Sequence, residues 1–288
     1  MRYRFLRFPE GRPKAVTLSY DDGCRYDIKL SEIINKYGIK CTFNINSAWF
    51  GKDENDWHLT KEEIKKYLID TGHEIAVHGE YHRANGNLRA IDGIQDILNC
   101  RLTLEKEYDL IVRGHAYPDT GIRNLQNGAT IEGISQYLKE LDIVYARTLG
   151  SDNNSFKLPQ DWYQWMPTAH HNNDKLFDYI DEFVSYKDAG TYAAIRHPRL
   201  FYLWGHAYEF NDKNNWDRLE KICEELGGKD DIWYATNIEI YDYVNAYNSL
   251  IYSADNTIMY NPTLITVWLD IDGKLYKIGP GETVHTNQ

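Results

Sequence analysis

No apolar run in this 288-residue chain approaches the roughly 18 residues of a membrane span, so no spanning helix is expected. Cysteine is scarce and scattered: Cys24, Cys41, Cys100 and Cys223 form no CxxC pair. That excludes a structural thiolate zinc cluster and gives no disulfide framework, which favours a reduced, cytosolic setting. The opening "MRYRFLRFPEGRPK" has basic residues but no uninterrupted apolar core, so it is not a signal peptide. The expectation is a cytoplasmic protein as written, or an extracellular or cell-surface one if a leader is missing. Positive charge is also short, with 32 Lys and Arg against 43 Asp and Glu and a net charge of -11. This disfavours nucleic acid and anionic membranes as partners. No repeat or low-complexity tract appears, and the oligomeric state is left open. What the chain does hold is aromatic surface: 23 Tyr and 8 Trp dominate a 14% aromatic share, and such rings suit sugar faces as well as cores.

Short β-branched runs alternate with longer amphipathic segments. Strands are expected at 15–20, 39–46, 73–78, 109–118, 143–150, 200–206 and 232–236. Helices are expected at 26–38, 59–72, 91–108, 130–142, 174–188, 214–226 and 237–247. Thr60 and Glu63 have capping-box spacing at the head of the second helix. Residues 151–173 read as one long irregular, aromatic loop. The alternation predicts an α/β fold with a parallel sheet, either a barrel or an open doubly wound sheet. From 248 to 288 the period changes to two, with turn signals at "ADN", "NP" and "DG". Three or four antiparallel strands are expected there, as a small appendage to a domain spanning 1–247.

Four features follow strands: Asp21-Asp22-Gly23 in "LSYDDG", His78 and His82 in "VHGEYH", Tyr117-Pro118 in "AYPDTG", and His206 in "LWGH". The ends of parallel strands share one face, so these distant segments should converge. On a helical turn, His78 and His82 would lie on one side. Two histidines and a carboxylate make a three-ligand set for a borderline divalent cation and leave a position for water. Adjacent side chains on an extended strand point to opposite sides, so Asp21 and Asp22 should divide the work. One would hold the metal and the other would act as general base toward water on it, while Gly23 lets the backbone turn.

Together "LSYDDG", "HGEYH" and "LWGH" resemble the motifs of the polysaccharide deacetylase family, carbohydrate esterase family 4, over roughly residues 14–245. The resemblance implies a distorted (β/α) barrel of about seven parallel strands and metal-dependent removal of acetyl groups from N- or O-acetylated sugars. It implies Asp21 as general base, Asp22, His78 and His82 as metal ligands, and His206 as general acid. It also implies that the backbone N–H of Tyr117 helps hold the oxyanion. The metal would be zinc foremost, with cobalt, nickel, manganese and iron as alternatives, and the partner an acetylated glycan or sugar derivative.

Some positions depart from the family pattern. Gly79 stands where Ser or Thr usually follows the first histidine. The arginine of the third motif has no counterpart beside Pro118, which leaves open whether Arg113 or Arg123 orients the base. Tyr202 and Trp204 replace small aliphatics before His206, implying a more aromatic acyl pocket. The family's Asp-Trp pair has only a superficial match at Asp161-Trp162. His170 and His171 read as solvated loop residues, and His115 as a packed or exposed one. Rival readings are a metal-dependent amidase on a small cyclic amide or peptide, a non-catalytic carbohydrate-binding relative, and a glycoside hydrolase. The last fits poorly, because its two carboxylates must flank a bond several ångströms apart.

Overall fold

Lys14–Asp21 form a strand buried at all eight positions, as expected of a central strand covered on both faces. The computed structural model describes residues 2–51, 57–149, 153–188 and 192–286. The expected strand end at 150 and the start of the expected loop at 151–152 lie outside the described residues.

The strands in chain order are β1 (Arg4–Arg7), β2 (Lys14–Asp21), β3 (Cys41–Ile45), β4 (Glu74–Val77), β5 (Gly114–Ala116), β6 (Tyr145–Arg147) and β7 (Ala169–His170). There follow β8 (Arg199–Gly205), β9 (Ile232–Tyr234), β10 (Ile251–Tyr252), β11 (Ile258–Tyr260), β12 (Val267–Ile271), β13 (Lys274–Ile278) and β14 (Thr283–His285). Seven of them form a parallel sheet in the order β6-β5-β4-β3-β2-β8-β7, and β9 pairs with the start of β2. The sheet curls toward closure through the segment between β6 and β8. Trp165 exchanges backbone hydrogen bonds with Ala146 and Thr148 on one side, while Thr168 and His171 donate to Tyr202 and Trp204 on the other. The distorted barrel expected from the sequence is therefore what the chain builds. Its seventh strand, β7, comes from the stretch expected to be loop.

The helices are α1 (Asp27–Lys36), α2 (Lys61–Glu63, running on as a π turn over Ile64–Ile69), α3 (Ala90–Tyr108) and α4 (Ile131–Glu140). They continue with α5 (Leu176–Ser185), α6 (Ala207–Asp212), α7 (Trp216–Leu226) and α8 (Asn237–Asn248). Thr60 and Glu63 form the reciprocal capping box anticipated at the head of α2. Among the described residues, no helix is long and apolar enough to cross a membrane.

Side-chain alternation along β2 divides the molecule into layers. Val16, Leu18 and Tyr20 join the main apolar core. Thr17, Ser19 and Asp21 take the other face, which is polar. Thr17 donates to Asn237, Asn237 donates to the Tyr202 hydroxyl, and Asn44 donates to Ser19. This alternation carries Asp21 to the top of the barrel interior.

The C-terminal residues form antiparallel strands as expected, five where three or four were anticipated, in two three-stranded sheets, β1-β12-β13 and β10-β11-β14. One strand comes from outside the segment: β1 pairs with β12 in register from Arg4↔Ile271 to Arg7↔Trp268. The Tyr243 hydroxyl on α8 donates to Arg7 O at 2.6 Å and accepts from Trp268 N at 2.9 Å, tying these strands to the barrel.

Candidate active site

The turn after β2 is tighter than glycine alone would make it. Asp22 itself has a φ of +78°, followed by +62° at Gly23. Asp tolerates the left-handed region better than most residues. The turn brings Asp22 Oδ1 to 3.5 Å from His78 Nε2 and 3.4 Å from His82 Nε2. His78 is buried, and its Nδ1 lies 2.9 Å from Ala116 O. Donation to that carbonyl orients the ring and leaves Nε2 facing Asp22.

The two histidines do not meet across a helical turn. Residues 78–84 are irregular, with positive φ at Gly79 (+75°) and His82 (+54°). The rings lie 4.9 Å apart and inclined at 68°. Asp22 Oδ1 is buried without a hydrogen-bond partner, while three donor atoms of complementary type converge within 4.8 Å. Burial alone would raise the Asp22 pKa, but His78, His206 and His82 outweigh it and hold the carboxylate at about 2. Burial and the neighbouring His78 lower the His82 pKa, outweighing the pull of Asp22 and Asp21. A carboxylate oxygen and two imidazole nitrogens are the donor set that a zinc-like cation takes.

Asp21 lies at the end of β2 with 1% of its surface exposed. Its Oδ1 accepts from Asn44 Nδ2 at 2.8 Å, and its Oδ2 pairs with Arg147 Nη2 at 2.5 Å. Burial opposes ionisation, but Arg147, His78 and His206 overcome it and lower the pKa. Arg147 is itself fully buried, with its guanidinium 4.5 Å over the ring of Trp204. Neither arginine considered from the sequence fills this position. Arg113 precedes β5, at the opposite end of the strand from the site, and pairs with Asp242 at 2.6 Å. Arg123 donates to Leu149 O. Arg147, the last residue of β6, was missed, although an arginine closing the apolar run "IVYAR" was its visible signal.

His206 follows β8 and caps α6. Its Nε2 lies 3.8 Å from Asp21 Oδ2 and 4.0 Å from Asp22 Oδ2. Its Nδ1 lies 2.8 Å from Glu209 Oε1, one turn along α6. Burial disfavours the imidazolium, but Glu209, Asp21 and Asp22 win and raise the pKa. Glu209 also accepts from His170 Nε2 (3.2 Å) and from the Asn172 side chain. Against its own burial, His170, His171 and His206 hold it well below the usual carboxylate range. His170 and His171 are thus not solvated loop residues. His170 closes β7 beside Glu209, and His171 is fully buried between Tyr20 and Phe210.

Asp161, the superficial Asp-Trp match, caps its own short turn by accepting from Tyr163 N and Gln164 Nε2. Trp204 stands beside His170 and over Arg147, whereas Tyr202 lies one layer deeper, bonded to Asn237. His115 is packed, between Val77 O and Asn85. Tyr117 does not offer the donor expected of it. Its N–H is used in the sheet, donating to Arg147 O at 3.0 Å, and its buried hydroxyl donates to Tyr163 O. Pro118 has no N–H, so the next amide along the chain is that of Asp119.

Residues 9–132 match the family model described as Polysaccharide deacetylase, in line with the resemblance read from the sequence. No curated protein matches the chain. Among solved structures, a Mycobacterium smegmatis protein described as a candidate polysaccharide deacetylase aligns at a TM-score of 0.55 and 15% identity. That alignment covers 84% of this chain and 94% of that one. A mutant of a CE4 family pseudoenzyme of Bacillus anthracis, with restored enzymatic activity, aligns at 0.51 and 14%, covering 83% and 70%. The Streptococcus pyogenes deacetylase PplD in complex with acetate aligns at 0.41 and 16%, covering 46% of this chain and 55% of that structure. At these identities the likeness is one of fold.

The Asp21–Arg147 pair generates a direct test. Arg147→Met leaves a buried carboxylate uncompensated, so it should cost about 3–5 kcal/mol of stability by denaturant titration. Adding Asp21→Asn should recover part of that loss. Equal stability of wild type and Arg147→Met would contradict the pairing.

Proposed function

We propose that this chain, whose residues 9–132 match the polysaccharide deacetylase model, is a divalent-metal-dependent hydrolase that removes acetyl groups from an N- or O-acetylated glycan or sugar derivative. The observation that carries the reading is the buried, unpartnered Asp22 Oδ1 facing two imidazole nitrogens, with Asp21 and His206 converging on the same place. Asp22, His78 and His82 would hold the cation, zinc foremost. When bound, it supplies Lewis-acid polarisation of the acyl carbonyl and lowers the pKa of water beside it.

The remaining work falls to the chain's own groups. Arg147 keeps Asp21 ionised at the pH of the reaction, and Asn44 fixes the orientation of its carboxylate. Asp21 is therefore ready to take a proton from the attacking water. Glu209 fixes His206 through Nδ1, which turns Nε2 toward the two aspartates. The raised pKa favours the protonated form of His206, whose Nε2 would deliver that proton to the leaving amine or alkoxide. Trp204 and its neighbour His170 form an aromatic wall beside these groups, in keeping with an acetyl or sugar face.

Acetate release measures this proposal. Zinc-loaded protein should liberate acetate from at least one member of a panel of N-acetylated oligosaccharides and O-acetylated xylan. Asp21→Asn should lower kcat by about 10²–10⁴-fold with metal content preserved. No acetate across the panel, with metal verified bound, would sink the glycan reading, and full activity of Asp21→Asn would overturn the base assignment.

The pH profile separates the acid from the base. Glu209 raises the His206 pKa, so Glu209→Gln should let it fall. An acid with a lower pKa loses its proton sooner as pH rises. The basic limb of kcat/KM should therefore move to lower pH while the acidic limb stays in place. An unmoved basic limb would remove His206 from the role of acid.

A further inference from the structure

The loop that carries both histidine ligands is held between two supports, one from the strand side and one from α3. From the strand side, Asn46 Nδ2 donates to His78 O and to Gly79 O at 3.1 Å, and Ala48 N donates to Glu80 O at 3.1 Å. From the opposite side comes α3. Asp96 accepts from Glu80 N through its backbone carbonyl at 3.2 Å and from Tyr81 N through Oδ1 at 3.0 Å. One turn along the same helix face, Asn99 Nδ2 donates to Glu80 Oε2 at 2.8 Å, and Cys100 Sγ donates to Ile45 O.

Asp96 is 7% exposed, and its Oδ2 lies against Gly79: a Cβ built on that glycine would run into it. Gly79 also has a φ of +75°, which a residue with a side chain adopts only under strain. Two independent constraints therefore select glycine at this position. The carboxyl of Asp96 fills the space that a Ser or Thr side chain at position 79 would enter.

We infer that Asp96 is a positioning residue for the His78–His82 metal loop, its buried carboxyl and backbone carbonyl holding that loop from α3. The inference rests on the reading of Asp22, His78 and His82 as metal ligands. By fixing the Tyr81 amide, Asp96 fixes the residue preceding His82, and so the distance of His82 Nε2 from Asp22. Gly79 and Asp96 then form one unit: neither can change without the other being felt.

Zinc titration calorimetry and amide hydrogen exchange together test this. Asp96→Ala should weaken zinc binding by about 10–100-fold, as loss of a support behind a metal ligand typically does. In metal-free protein, the same change should speed exchange of the Tyr81 amide beyond any fall in global stability. Asp96→Asn keeps an oxygen for Tyr81 N–H and should bind zinc nearly as the wild type does. Gly79→Ser should weaken binding, and the Gly79→Ser, Asp96→Ala pair should bind at least as tightly as Gly79→Ser alone, because the clash is gone.

Wild-type affinity in Asp96→Ala, or losses that multiply in the double variant, would overturn the inference. Should Asp96→Ala not fold, Asp96→Asn and Gly79→Ser carry the test, with retained affinity expected in the first and lost affinity in the second. A wild type that binds no divalent ion would remove the metal reading. Tyr81 exchange in the metal-free protein would still decide whether Asp96 holds the loop.

Discussion

Two carboxylates on adjacent residues at the end of a buried strand repel each other, and the site is built around relieving that repulsion. At an effective dielectric of about 20, two unit charges about 4 Å apart interact by on the order of 4 kcal/mol. The chain separates them. Asp21 stays in the strand, turned into the polar barrel interior, and meets the buried Arg147. Asp22 leaves the strand at positive φ and meets two imidazoles, with one oxygen otherwise unpartnered. Each carboxylate thus has its own environment, and each environment holds it ionised for a different reason.

Dependence on that division runs outward through the fold. Arg147 can reach Asp21 because β6 closes one side of the sheet and the Trp165–His170 segment carries the sheet round to β8. The same segment places His170 beside Glu209, which in turn orients His206 toward both aspartates. The second cluster, His170, His206 and Glu209, also has metal-compatible residue types. Its atoms are differently committed. His170 Nδ1 accepts from Asn172 N, so its Nε2 carries the proton given to Glu209. That arrangement is a hydrogen-bonded support for His206, with no lone pair at His170 Nε2 to offer a cation.

Strand placement made Asp21, Asp22, His78, His82 and His206 legible as a group, because residues closing parallel strands must share a face. What escaped was whatever depended on register or on partners distant in sequence. Arg113 misses the site because β5 begins one residue after it, which puts its side chain at the entry end. Tyr117 keeps its amide in the sheet because the pairing with Arg147 extends one residue beyond the strand. β7 has only two residues, too short for periodicity to reveal, and β1 shows itself only through its partner β12. Glu209 was readable in principle, three residues after His206 at the head of a helix, where the two side chains share a face.

The central claim is that a divalent cation sits among Asp22, His78 and His82. Anomalous diffraction from zinc-soaked crystals at the zinc edge tests it most directly. The account predicts one strong peak about 2.0–2.2 Å from Asp22 Oδ1, His78 Nε2 and His82 Nε2. A structure with no peak there, or with the ion seated instead among His170, His206 and Glu209, would contradict it.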